Sequence, residues 1–479
     1  MSRVSHETPR LRSEAAEATR GSAIKLAAEV ASRFLTLATT VLLARGLSVE
    51  DYGAYGTLSL VGVLVAEVAE FGLQSTAARA LVAGTSSLRS LVRARAALLV
   101  SVASCVVALA PLLPGLGLVD RPLVSVLCLL FFYFALSAWG EFLGVALRCR
   151  GARVHEALLL TCLRAGGLAL TAVALAVRAG LHGVAWALAL SPLPALALGS
   201  WFLHRHGPAG VAPDTGVRDV LRASAPLAVH AGLLLLSPRV EFLVLSAVRE
   251  TRERALFFAA VQVFWFLGMV PSAVAAGAMP ALTREAIGGG KAVRQRTAAT
   301  MALLGVPAAV GLAFVAPGVL AVFGEEYVRA TAWLRALAVA VVPLFMNALL
   351  TWALIASGRS GLLPRLTATR VAVAFVLAAV LVPSFGAAGA AAGLVCAETA
   401  LLLLEARACA EAGFAVPILR PVALALGASV PMGLAVYGVG PSLVWAVATG
   451  ALTYAATLAA FWRLLPGVSR EMLGDVRYP

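Results

Sequence analysis

Apolar runs of about 20 residues recur from one end of the chain to the other, enough for each to cross a bilayer as a helix. "VLCLLFFYFALSAWGEFLGVAL" (126–147) is a clear case. Inside hydrocarbon every backbone N–H and C=O needs a partner, so only helices and closed barrels span. A barrel would show short segments alternating apolar and polar residues, and the chain shows none. The expectation is an all-α polytopic membrane protein with about 14 transmembrane helices. They are placed near 22–44, 53–74, 94–113, 121–146, 156–177, 181–203, 224–247, 255–278, 298–321, 332–356, 362–382, 387–408, 418–438 and 441–462. Charged residues make up 13% of the sequence, about half the share usual in soluble proteins.

The net charge is +14. In a soluble protein that would suggest nucleic acid; here it follows from topology. Of the 38 Lys and Arg, 26 fall on the side of the two termini, seven on the opposite side and five within spans. By the positive-inside rule both termini are expected in the cytosol, and no nucleic-acid partner is needed. The opening "MSRVSHETPRLRSEAAEATR" is polar, lacks the apolar core of a signal peptide and is expected to be a cytosolic tail. The six cysteines form no CxxC or metal spacing, so reduced packing residues and no metal site are expected. The longest internal loop, "HRHGPAGVAPDTGVRDVLRA", is about 20 residues, too short for an extramembrane domain.

That loop lies near the middle, and an offset of 206 aligns the two halves. Arg33 maps to Arg239, Arg153 to Arg359, Arg164 to Arg370, and Gly180 and Gly183 to Gly386 and Gly389. Six is an even number of spans, so the halves enter from the same side and the repeat is parallel. The expected organisation is a cytosolic N-terminal tail (1–20), an N-lobe of spans one to six (21–204) and a cytosolic inter-lobe loop (205–222). A C-lobe of spans seven to twelve (223–411), spans thirteen and fourteen (412–463) and a cytosolic C-terminal tail (464–479) complete it. Two such lobes suggest alternating access to a site near mid-bilayer.

Charges inside spans cost a few kcal/mol or more and point to function. Arg33, Arg164, Arg239 and Arg370 lie on helices of one direction, roughly 10–20 Å from the cytosolic end. A guanidinium stays charged and grips phosphate oxygens in a fork. The four are therefore candidates for binding a pyrophosphate head group in a cationic cavity. The alternatives are snorkelling for Arg164 and Arg370, an ion pair with Glu29 for Arg33, and exposure at a helix break after "SP" for Arg239. Arg335 is expected to snorkel to the outer interface. Glu29, Glu67, Glu70, Glu141, Glu241 and Glu398 either balance these arginines or carry protons, so proton or ion coupling stays open while no other cofactor is indicated. Tryptophans fall mainly near span ends, as belt residues do. "HRH" (204–206) has no partner cluster for a metal, and no P-loop, dinucleotide turn or nucleophile elbow occurs. No catalytic residue is assigned.

"LLARGLSVEDYGAYGTLSLVGVLVAEVAEFGLQSTAARALV" (Leu42–Val82), "FGEEYVRATAWLRALAVAVVP" (Phe323–Pro343) and "ALIASGRSGLLPRLTATR" (Ala353–Arg370) resemble the polysaccharide flippases of the O-antigen (Wzx) type. These belong to the multidrug/oligosaccharidyl-lipid/polysaccharide exporter superfamily. The resemblance covers about 20–470. It implies two six-helix lobes plus two C-terminal helices, and transfer of a polyprenyl-pyrophosphate-linked oligosaccharide to the outer leaflet of a bacterial cytoplasmic membrane. It further implies a cationic central cavity and a lipid groove at the extra helices. Membrane lipids, and other polysaccharide-assembly proteins, are the implied partners of a monomer. Competing readings are a multidrug exporter of the same superfamily, a polymerase or ligase, and a scaffold without transport. Outer loops of about 5–15 residues leave little room for the large catalytic loop of a polymerase.

Overall fold

The computed structural model describes residues 7–464, except 116–118, 207–212 and 440–441. The expected C-terminal tail lies outside the described residues save for Leu464, as do residues 1–6 of the N-terminal tail and the middle of the longest loop. Among the described residues there is helix and turn but no strand. Among the described residues thirteen helical stretches are long and apolar enough to cross a membrane. One of them, Ser360–Glu411, runs 52 residues and breaks at Gly386, where φ is 59° and ψ is −137°. It is the eleventh and twelfth spans folded back on one another at that break, Gly389 against Leu381 and Gly393 against Ala378, which brings the count among the described residues to 14.

The break has an identifiable cause. Gly386 occupies a conformation that L side chains rarely adopt. Two charges cap the two helix ends: Arg249, just before the eighth span (Thr251–Gly288), and Glu253 in its first turn. Arg249 Nη2 donates to the carbonyls of Val382 at 3.0 Å and Pro383 at 2.7 Å. Glu253 Oε1 accepts from Ala387 N at 2.6 Å. Cation at a C-terminus and anion at an N-terminus is the order the helix dipole favours. Gly180, which the 206-residue offset pairs with Gly386, also has positive φ, 63°.

The chain divides into two compact units, Met1–Leu47 with Thr57–Gly232, and Ser48–Gly56 with Leu233–Pro479. In the first, the first span (Ala27–Gly46) lies along the fifth (Arg153–Ala176). Leu73, Leu91, Phe142, Leu159 and Val220 form a buried core. The segment following the longest loop is fastened here. Asp214 accepts from Ser90 Oγ at 2.5 Å, Ser87 Oγ at 3.2 Å and Arg93 Nη1 at 2.9 Å. Thr215 N donates to Ser90 Oγ at 3.0 Å. Higher up, Ser224 Oγ bonds Thr76 Oγ1 at 2.9 Å. The chain changes unit at Gly232, inside the seventh span (Val217–Val248).

In the second unit, Tyr52 is fully buried. Its ring centroid is 5.5 Å from that of Tyr327 at 86° and 5.5 Å from that of Phe258. The "EDYG" and "FGEEY" stretches that carry the family resemblance therefore pack on one another.

Two outcomes are expected. Gly386→Ala pays for a forbidden backbone and for a clash with the Glu253 carboxylate, about 3 kcal/mol. Gly180→Ala has nothing within 4 Å of its new methyl and costs about 1 kcal/mol. Thermal unfolding in micelles should rank them in that order. Second, hydrogen bonding from Ser90, with help from Arg93, holds the Asp214 carboxyl below its usual range. A depressed folded pKa means that the docking is complete above the unfolded value, about 3.9, and fails as pH falls through the lower folded value. Exchange of the Thr215 amide, corrected for intrinsic rate, should stay slow at neutral pH and quicken only below about pH 4. Equal protection at all pH values would show that Asp214 is not what fastens the segment.

Candidate functional site

The seventh span is broken by a 3₁₀ turn, Ser237–Arg239. Pro238 supplies no N–H, so carbonyls near it lose their helical donors. Side chains replace them: Leu235 O accepts from Arg239 Nη1 at 2.7 Å and Pro238 O from Trp265 Nε1 at 3.1 Å. Ser237 O accepts from Arg370 Nη1. The Arg239 guanidinium lies 5.3 Å from the centre of the Trp265 ring, a cation–π contact. Trp265 is thus a bracing residue for the break.

Arg370 is enclosed. Its Nη2 and Nε donate to Glu398 Oε1 at 2.8 and 3.1 Å, and Glu241 Oε1 lies 3.8 Å away. Asn347 Nδ2 holds the other Glu398 oxygen at 2.8 Å. The side chain of Arg370 is 2% exposed and that of Glu398 8%. With these donors committed and no solvent access, Arg370 is a structural cation joining the seventh, tenth, eleventh and twelfth spans. This differs from the expectation of a phosphate-binding residue, because a carboxylate 28 residues away already occupies the fork.

Its repeat partner differs. Arg164 Nη2 donates to Glu141 Oε1 at 2.6 Å, with side chains 27% and 36% exposed. Shifted by 206, Glu141 corresponds to Asn347, so the halves use one slot in two ways. The first half places the acid there directly. The second places an amide there, which holds an acid from the twelfth span.

Arg33 and Glu29 are both exposed on the first span. They do not pair with each other, and Arg33 has no ion-pair partner among the described residues. Glu67 is half-buried. Glu70 is buried and accepts from Gly72 N at 2.7 Å and Gln74 N at 2.5 Å. It stabilises a left-handed kink at Phe71 and Gly72, with φ of 51° and 67°. Arg95 Nη1 lies 3.7 Å from Glu70 and its guanidinium 5.2 Å from the Phe142 ring. Arg95, counted in sequence as a loop charge, is buried one turn beyond Leu91 in the third span, Leu88–Leu112. The four arginines thus do not share one environment. Arg33 is open, Arg164 and Arg239 are partly covered, and Arg370 is sealed. Among the described residues no group of His, Cys, Asp and Glu is arranged to hold a metal.

The many membrane-length helices among the described residues define an all-α, multi-pass membrane protein with the fold of the MOP-superfamily transporters. The chain matches the family of polysaccharide biosynthesis proteins over residues 18–285, and it belongs to that family. Its fold is similar to that of the lipid II flippase MurJ in an inward closed conformation, with TM-score 0.72 and 13% identity. That match covers 91% of this chain and 98% of the other. An inward-facing multidrug resistance MATE transporter of the MOP superfamily gives TM-score 0.61 and 15% identity, over 80% and 95% of the two chains. A MOP-superfamily transporter from Pyrococcus furiosus, described as having a binding pocket of reversed polarity, gives 0.54 and 16%, over 83% and 96%. No curated protein matches the sequence.

The two arginine pairs should respond differently to loss of the acid. Glu398→Gln removes the carboxylate hydrogen-bonded to a buried guanidinium, leaving only Glu241 at 3.8 Å, and is expected to cost about 3 kcal/mol. Glu141→Gln on the half-open pair should cost about 1 kcal/mol or less. Detergent-solubilised thermal unfolding would measure both, and comparable losses would contradict the different roles assigned to Arg164 and Arg370.

Proposed function

We propose that the protein moves a lipid-linked oligosaccharide, carried on polyprenyl pyrophosphate, from the inner to the outer leaflet of a bacterial cytoplasmic membrane. It works by alternating access, as a transporter and not an enzyme, with both termini cytosolic. The observation that carries the proposal is the exposed Arg33 and the half-open Arg164–Glu141 pair within spans of a polysaccharide biosynthesis protein. A guanidinium within a span that is exposed, or paired only with a half-exposed carboxylate, is suited to an incoming anion, and a pyrophosphate offers oxygens for several forks at once. Arg239, braced on Trp265, is the third candidate. Arg370 is left out of the binding set. Glu141 keeps Arg164 balanced when no substrate is bound, and Glu70 and Glu398 balance Arg95 and Arg370. A multidrug exporter of cationic compounds is disfavoured, because such cargo would be repelled by the arginines.

Export of surface polysaccharide, in a host strain lacking its own flippase for the same glycan, tests this reading. Arg33→Ala with Arg164→Ala should reduce export at least roughly 100-fold, as expected if each lost charge-assisted contact is worth about 1.5–3 kcal/mol. Membrane insertion should be unchanged. Normal export by this double variant would overturn the pyrophosphate-binding assignment.

A further inference from the structure

The turn between the fourth and fifth spans and the end of the sixth span form one basic surface that transport does not explain. Three contacts join them. Arg150 Nη1 donates to Leu203 O at 2.8 Å. The His155 ring centre lies 4.3 Å from that of Phe202 and 4.8 Å from that of His206. The surface thus gathers Arg150, Arg153, His155, His204, Arg205 and His206. The one acid in the turn, Glu156, is buried and taken by Arg148 at 2.8 and 2.5 Å. Arg150 and Arg205 have no carboxylate partner among the described residues. The Arg205 guanidinium rests 4.3 Å from the centre of the Trp201 ring, and Trp201 is 47% exposed. Val154 and Leu158, on the fifth span, are also exposed.

Orientation alone does not require this cluster, because the repeat supplies an internal control. Positions 148, 150, 153, 155, 204, 205 and 206 correspond to Leu354, Ala356, Arg359, Gly361, Ala410, Glu411 and Ala412. The second half enters the membrane from the same side yet carries one cation and one acid where the first carries four arginines and three histidines. Arg407, nearby in that half, is neutralised by Glu411 at 2.7 Å. The first half therefore holds, in Arg150 and Arg205, two cations without a carboxylate partner among the described residues, above exposed apolar side chains and with a tryptophan holding one of them at that boundary. Such a surface matches an anionic phospholipid, phosphate against the arginines and acyl chains against the spans.

We propose that this surface is a binding site for an anionic phospholipid of the surrounding leaflet. The assignment uses only the membrane-spanning fold, so it stands or falls independently of the flippase reading. The full-length protein in nanodiscs, or sprayed from micelles for native mass spectrometry, is titrated with phosphatidylglycerol and with phosphatidylcholine of the same acyl chains. Phosphatidylglycerol should be retained preferentially. Arg205→Gln should weaken its retention roughly fivefold, and Arg150→Gln with Arg205→Gln roughly 25-fold. Arg205→Lys should restore most of the single loss. The repeat-related control, Arg359→Gln, should leave retention unchanged. Because Arg150 also braces the Leu203 carbonyl, the single Arg205 variant carries the test if the double variant fails to fold. Equal retention of both lipids, an equal loss in the control, or displacement of the lipid by inorganic pyrophosphate at micromolar concentration would each overturn the proposal.

Discussion

A fully enclosed guanidinium determines much of the second unit's geometry. Arg370 sits on the eleventh span, and no water or lipid reaches it. Its charge must be balanced from within, and its N–H groups must find acceptors there. Glu398 supplies two of those bonds from the twelfth span, and the broken seventh span supplies a carbonyl at Ser237. Asn347 of the tenth span orients the carboxylate. The 3₁₀ turn in the seventh span is thus part of the same arrangement. An unbroken helix there would have no free carbonyl to offer, and Arg370 Nη1 would lose its Ser237 acceptor.

The two halves show how one repeat can diverge around a shared cation. Arg164 and Arg370 keep the same register, but their acids come from different helices. Moving the acid to the twelfth span converts a partly open pair into a sealed one, because Glu398 lies deep between helices while Glu141 stays partly exposed. The backbone kept what the side chains changed. Gly180 and Gly386 retain positive φ, but only Gly386 has charged residues capping the helix ends beside it.

Spans were legible in the sequence because bilayer crossing is written locally, as a run of apolar residues. The break in the seventh span was legible for the same reason, since "SP" removes a donor at a known place. The enclosure of Arg370 was not, because Glu398 and Asn347 reach it only through packing of separate helices. The caps supplied by Arg249 and Glu253 are likewise set by partners more than 130 residues distant. Arg95 was missed for a different reason. In "LRSLVRARAALL" it was sorted with the loop charges, although it sits four residues after Leu91 and so shares its buried face. Helical register, applied across the loop boundary, carries that signal.

The contrast between the two arginine pairs bears directly on which half can exchange partners with an anion. If an incoming phosphate took Arg370, Glu398 would be left charged and 8% exposed, a penalty of several kcal/mol for an unpaired buried carboxylate. The phosphate would first have to reach a guanidinium with no open face. If it took Arg164, Glu141 would be left 36% exposed, where water can solvate it at little cost. Exchange at Arg164 therefore substitutes one anion for another without stranding a charge. Under the proposed function this makes Arg164, and not its repeat partner Arg370, the one that engages the head group. The second half, with its cation already satisfied, keeps the broken seventh span in shape while the first changes partners.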